Sequence, residues 1–214
     1  MAVDRRGRSV GSLAVAAAGL VVSLAVRPPV LASQVSLHAA LGARYNSTLV
    51  HDSIVMPLDV RPAIGPALAL SADLPLAGPW QLELLADLGT SPLERHDADG
   101  STARITRLWT LGLAVGLRRQ LHPWLDGRFA IGALSYLPAQ SVGLFSNGSG
   151  GVIPYGSLAF DAAPAPLARH HLALELAGDL HKFLTPALRS AGFTESRVVY
   201  RISAGVRIDL MGNK

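Results

Sequence analysis

Residues 104–120 read RITRLWTLGLAVGLRRQ, and taking every second one separates them into two kinds. Ile105, Trp109, Leu111, Leu113, Val115 and Leu117 fall on one side, interrupted only by Arg107 and Arg119 near the ends. Thr106, Thr110, Gly112, Ala114, Gly116, Arg118 and Gln120 fall on the other, with Leu108 as the one large exception. A period of two is the strand period, because successive side chains point to opposite faces of a sheet. A helix would scatter the large apolar residues around its whole cylinder instead of gathering them in a stripe. The second face is informative as well. A face open to water has no need of glycine and alanine, whereas one lining a narrow enclosed space does. Bulky apolar residues outside with small or charged ones inside is the pattern of a transmembrane barrel strand.

The same alternation recurs on both sides of this stretch. Upstream it predicts strands at about 34–45 (Val35, Leu37, Ala39, Leu41, Ala43 and Tyr45 on one face), 63–74 and 80–89. Downstream it predicts strands at about 124–137, 153–163, 171–184 and 197–210, the last with Val198, Tyr200, Ile202, Ala204, Val206, Ile208 and Leu210 on one face. That makes eight strands of roughly 10–14 residues, long enough to cross a bilayer at a tilt. Their connections alternate long, short, long, short. The long ones are Asn46–Arg61, Thr90–Ala103, Pro138–Gly151 and Thr185–Glu195; the short ones carry Pro75–Pro79, His122-Pro123 and Pro164–Pro166. An up-and-down barrel with both ends on the short-turn side produces that alternation. No segment has helical periodicity, which sets aside α/β folds and helical bundles.

The first residues are of another kind. Arg5, Arg6 and Arg8 precede an apolar run, Leu13–Val26, closed by Arg27-Pro28-Pro29 and followed by Val30-Leu31-Ala32. A basic start, a short apolar run and a V-x-A end predict a secretory signal peptide over 1–32, leaving a barrel over 33–214. The run is shorter than the roughly 20 residues a membrane-crossing helix needs. Residues 1–32 hold four arginines against Asp4, so most of the formal charge of +4 leaves with them. The remaining chain has no basic tract of the sort that binds nucleic acid. It contains no cysteine, hence no disulfide framework and no thiolate metal site.

Aromatic residues sit at strand ends: Trp80 and Trp124 by the short turns, Tyr45, Trp109 and Tyr200 by the long loops. Amphipathic rings favour the headgroup level, so two girdles are expected. With eight alternating strands, a leader, long and short connections and aromatic ends, residues 34–210 resemble the small outer-membrane β-barrels of Gram-negative-type bacteria, OmpA/OmpX-type in shape. The resemblance implies an all-β, eight-stranded antiparallel barrel in the outer membrane, monomeric, surrounded by lipid, with any extracellular partner met through the four long loops. Such barrels usually end on an aromatic residue; here the last strand ends Ile208-Asp209-Leu210 followed by MGNK.

The inward-facing set is rich in charge: Arg44, Asp73, Glu83, Asp87, Arg118, Asp126, Arg128, Asp161, Glu175, Asp179, Arg201, Arg207 and Asp209, with His38, His171 and His181. An eight-stranded barrel is just wide enough for side chains to fill it. Charges confined there must pair, since an isolated buried charge is far more costly than a paired one. A salt-bridged filling without enzymatic activity or cofactor is therefore expected, in a barrel that is structural, adhesive or ligand-binding and not a wide pore. Counting residues up from the short turns places Glu83 among Arg118, Arg128 and Arg207, with Asp179, His181, Arg44 and Arg201 in a second cluster nearer the long loops. Two alternatives compete with this. A lipid A-modifying enzyme would need a nucleophile and base; Ser36 and His38 share a face, and Glu83 or Glu175 would orient the imidazole. A soluble calycin-like barrel binding an apolar ligand would invert the two faces. His170-His171 and His181 would bind a metal only if three donors converged, and adjacent histidines on a strand point apart.

Overall fold

The computed structural model describes residues 35–52, 58–76, 78–142, 145, 151–190 and 196–211; the segment read as a signal peptide lies outside the described residues. The described chain holds ten strands. They are β1 (Ser36–Asn46), β2 (Val50–Asp52), β3 (Leu58–Pro62), β4 (Gly65–Pro75), β5 (Trp80–Asp97), β6 (Thr102–His122), β7 (Leu125–Pro138), β8 (Val152–Ala162), β9 (Leu172–Phe183) and β10 (Arg197–Met211). Two short helices, α1 (Ala165–Ala168) and α2 (Pro186–Ser190), lie in connections. Eight strands pair in the order β5-β4-β1-β10-β9-β8-β7-β6, and β5 also pairs with β6, which closes the ring. Every pairing is antiparallel, including that of β1 with β10, where the two ends of the barrel sequence meet from Leu37↔Met211 to Asn46↔Arg201. Closure leaves no open edge in the wall.

The faces divide as the alternation requires. Leu41, Leu113, Val115, Ile131, Leu158, Leu174 and Ile202 are exposed on the outer wall, while Glu83, Asp87, Arg118, Arg128, Asp161, Arg201 and Arg207 are buried within. Exposed leucines over a charged interior are opposite to a soluble ligand-binding barrel, so the calycin-like alternative is excluded by the geometry. In water such a wall would be a large apolar patch; in hydrocarbon it is the solvent-matched surface.

Two of the expected long loops turn out to contain strand. The charged stretch 90–103 continues β5 and β6 to 18 and 21 residues, closed by a turn at Asp97–Ser101. Roughly 9–11 tilted residues suffice to cross a bilayer, so this hairpin is longer than a crossing needs and extends beyond the ring on the long-loop side. Along this extension Glu94, His96 and Arg104 replace the leucines of the outward face without ending the strand. In the turn, Gly100 adopts φ 83°, and the Ser101 N–H, 2.8 Å from Asp99 Oδ1, holds the Asp99 carboxyl below the usual carboxylate range. The connection 46–61 likewise holds the β2–β3 hairpin, which pairs onto β5 from Leu58↔Asp97 to Pro62↔Leu93. The result is a four-stranded sheet, β2-β3-β5-β6, rising from one side of the barrel. At the other end His171, expected inside, is an exposed turn residue with φ 56°; its carbonyl accepts from Asp209 N–H at 3.0 Å.

Candidate functional site

The interior is built in three layers. The lowest takes one side chain from each of the eight ring strands: His38 (β1), Asp73 (β4), Glu83 (β5), Arg118 (β6), Arg128 (β7), Asp161 (β8), Glu175 (β9) and Arg207 (β10). Followed around the ring they come in blocks of two: an acidic pair on β4 and β5, a basic pair on β6 and β7, an acidic pair on β8 and β9, and the basic pair Arg207 and His38. Three of these pairs are direct cross-strand neighbours, Asp73↔Glu83, Arg118↔Arg128 and Asp161↔Glu175. Like charges directly opposite each other repel. They are tolerated here because opposite charge reaches them from the next block and across the lumen.

Glu83 is 0% exposed and has Arg128 Nη1 at 3.1 Å, Arg118 Nη1 at 3.7 Å and Arg207 Nη1 at 4.0 Å. Asp73 takes Arg207 at 3.1 Å, Arg118 at 3.5 Å and His38 Nε2 at 3.1 Å. Asp161 joins Arg118 directly and Arg207 at 2.9 Å. Glu175 stands 3.8 Å from Arg128. At the rim, Asp126 accepts from Arg118 Nε at 3.3 Å, and Asp209 lies 2.7 Å from His38 Nδ1. Arginine suits the layer, since its fork reaches several carboxylates while staying charged.

The second layer is smaller and balanced, two arginines against two aspartates. Arg201 Nε donates to both Asp179 oxygens at 2.8 and 2.9 Å and reaches Asp87 at 4.0 Å, while Arg44 joins Asp87 and donates to Ser203 Oγ at 2.8 Å. His181 bridges upward, its Nδ1 3.5 Å from Asp179 and its Nε2 2.9 Å from the Tyr136 hydroxyl. The Arg201 guanidinium lies 5.6 Å from the Tyr155 ring centroid, within cation–π range. The lumen leaves no spare width at this level: a Cβ on Gly112 would strike Asp87 Oδ1.

Above the charges the filling becomes apolar. Tyr136, Phe145 and Phe183 meet with ring centroids 5.4 to 6.4 Å apart, and Leu49, Leu93, Leu108, Leu134, Leu188 and Val199 are buried with them. Leu49, Phe145 and Leu188 come from three different connections, so the long loops cap the outer mouth with their own side chains. The sequence reading missed this stopper and left Tyr136 unassigned, although the alternation of the sixth predicted strand does place Tyr155 on the inner face, where it is buried. The stopper's one visible trace was Leu108, the large residue on an otherwise small inner face, which is 0% exposed here. Asp73 and Asp161 were placed inside by parity, but the number of partners each holds was not foreseen.

The Ser36/His38 pair is not arranged for nucleophilic catalysis. Both imidazole nitrogens of His38 face carboxylates, Asp73 and Asp209, so neither is free to take a proton from Ser36. Among the described residues no group of three or more His, Cys, Asp or Glu side chains is placed to hold a metal ion. Of the aromatic residues, Trp80, Trp124, Trp109 and Tyr200 are exposed on the outer surface, and Tyr45 packs on Tyr200 at 6.1 Å. Arg119 lies 5.1 Å from the Trp80 ring.

No family model and no curated protein matches the chain. Among solved structures it is similar to the outer membrane protein OprG from Pseudomonas aeruginosa, with 10% identity and a TM-score of 0.44 over 83% of this chain and 96% of that one. The Neisserial surface protein A is similar at 14% identity and 0.44, over 83% and 98%. The outer membrane protein Ail of Yersinia pestis is similar at 11% identity and 0.45, over 81% and 99%.

Proposed function

We propose that the chain is a monomeric, non-conducting barrel of a bacterial outer membrane that anchors an outward-facing binding surface. Lipid surrounds its wall, its short turns face the periplasm, and the β2-β3-β5-β6 extension with the long loops meets any extracellular partner. The observation that carries this is the filling of the lumen. Two ion-paired layers and an aromatic stopper occupy it from the short turns to the outer mouth. A lumen so filled offers no continuous water path, and the conspicuous structure outside the membrane is the extension. The exposed Trp80 and Trp124 at one end and Trp109 and Tyr200 at the other support two interfacial girdles. The reading involves no catalytic step and no nucleic acid.

Orientation can be tested directly because the chain has no cysteine. A single thiol at Asp99→Cys, in the β5–β6 turn, should react with a membrane-impermeant maleimide on intact cells. One at Gly78→Cys, in the β4–β5 turn, should react only after permeabilisation. The opposite pattern would place the extension in the periplasm and overturn the proposal.

A further inference from the structure

The wall is not uniform around its circumference. The β8–β9 ladder ends at Tyr155↔His181, whereas β7–β8 continues up to Ser135↔Val152 and β9–β10 to Arg197↔Phe183. Pro154 stands where β8 leaves the ladder, and a proline has no N–H with which to continue it. The two strands part above this point on the long-loop side.

Two adjoining cavities open on the outer surface along that seam. The lower, about 770 Å³, is an apolar groove lined by Val115, Ile131, Pro154, Gly156 and Leu180, with Lys182 at its upper end. Val115, Ile131, Gly156 and Leu180 are successive partners in register across four strands, so the groove cuts across the wall. Gly156 forms its floor: a Cβ there would meet nothing within 4 Å. The upper cavity, about 370 Å³, shares Pro154 and Lys182 with the lower and adds Arg189 and Ser196. Among the described residues lining either cavity there is none with a carboxylate. Lys182 and Arg189 are both exposed, and neither has an ion-pair partner among the described residues.

We propose that this seam binds one bilayer lipid with an anionic phosphate headgroup. An acyl chain lies in the groove over Gly156, and the phosphate sits between Lys182 and Arg189. Lys182 pairs with Val198, two residues above Tyr200 on the same outward face. That places its ammonium at the headgroup level if the aromatic residues mark the interface. An apolar trough running on from a pair of cations has the shape and charge of an amphiphile lying against the wall in the outer leaflet. A free phosphate would leave the trough empty, and a zwitterionic lipid would bring its own ammonium against the two cations. The proposal rests on the wall facing lipid, as argued above.

The test uses the full mature barrel folded in detergent and doped with phosphatidylglycerol or phosphatidylcholine, bound lipids being counted by native mass spectrometry. The parent should retain one phosphatidylglycerol about thirtyfold better than phosphatidylcholine, the scale expected for two cations near an anionic headgroup. Lys182→Gln with Arg189→Gln should abolish that preference while leaving weak retention of both lipids. Gly156→Leu fills open space, so it should fold normally yet lose retention of both. Heat-resistant gel mobility in lipid vesicles reports folding for each variant separately; failure of the parent there would sink the membrane reading itself. Equal retention of both lipids by a folded parent, or undiminished retention by folded Gly156→Leu, would overturn the lipid site.

Discussion

Glu83 shows what a single residue carries inside such a wall. It is completely enclosed, with guanidinium groups of three strands within 4.0 Å. Removing one partner of a buried ion cluster leaves the others desolvated and unpaired, typically at a cost of about 3–5 kcal/mol. Glu83→Gln should therefore lower the free energy of reversible folding into vesicles by about that amount. Replacing Glu83 and Arg128 together by leucine should restore much of it; a double variant as weak as the single would show that the pair is not the source of the loss. On the outer wall the penalty has another origin. Leu113 is 44% exposed on the outer wall, and on the proposed membrane placement Leu113→Arg should cost about 2–4 kcal/mol near the midplane. Vesicle folding unaffected by that charge would mean the face never meets hydrocarbon. At this scale the sequence was readable as far as parity goes, because inside and outside alternate strictly along a strand. Which charges meet was less readable. Asp161 holds two arginines while Asp126, equally inward by parity, sits at the rim with its side chain 36% exposed. Height along a strand follows from counting residues, but position around the ring depends on registers that only the closed barrel fixes.

Among the elements, the β5–β6 hairpin departs most from its sequence reading. Its charged outer half was expected to be loop because the outward face changes from leucine to Glu94, His96 and Arg104. A strand leaving the membrane exchanges lipid for water on that face, so an alternation tuned to hydrocarbon loses sight of it. Leu93 and Leu108 on the opposite face show that the period continues. Trimming residues 95–103 to a two-residue turn should leave heat-resistant mobility on gels intact, since the stopper lies below them; loss of folding would show that the extension supports the barrel. Phe145 behaves differently although it belongs to a connection. It is buried between Tyr136 and Phe183, and Phe145→Ala should destabilise by up to about 3–5 kcal/mol. Chemical denaturation from vesicles would measure this, and a change below about 0.5 kcal/mol would mean the cap contributes nothing to stability.

For the molecule as a whole, the layered filling predicts electrical silence. The parent reconstituted in planar bilayers should give no steady, resolved single-channel currents; such currents would show that water threads the layers. The lowest layer also constrains how the barrel can form. Neighbouring hairpins β4–β5, β6–β7 and β8–β9 each bring two like charges together, and only the other hairpins neutralise them. A half-assembled sheet is therefore electrostatically worse than either the loose chain or the finished ring. Partly closed intermediates should be sparsely populated, and assembly should be close to all-or-none, with the β1–β10 seam as the committing step. The same repulsion discourages a hairpin from lingering alone in the membrane or pairing with the matching hairpin of a second chain, where acid would again face acid.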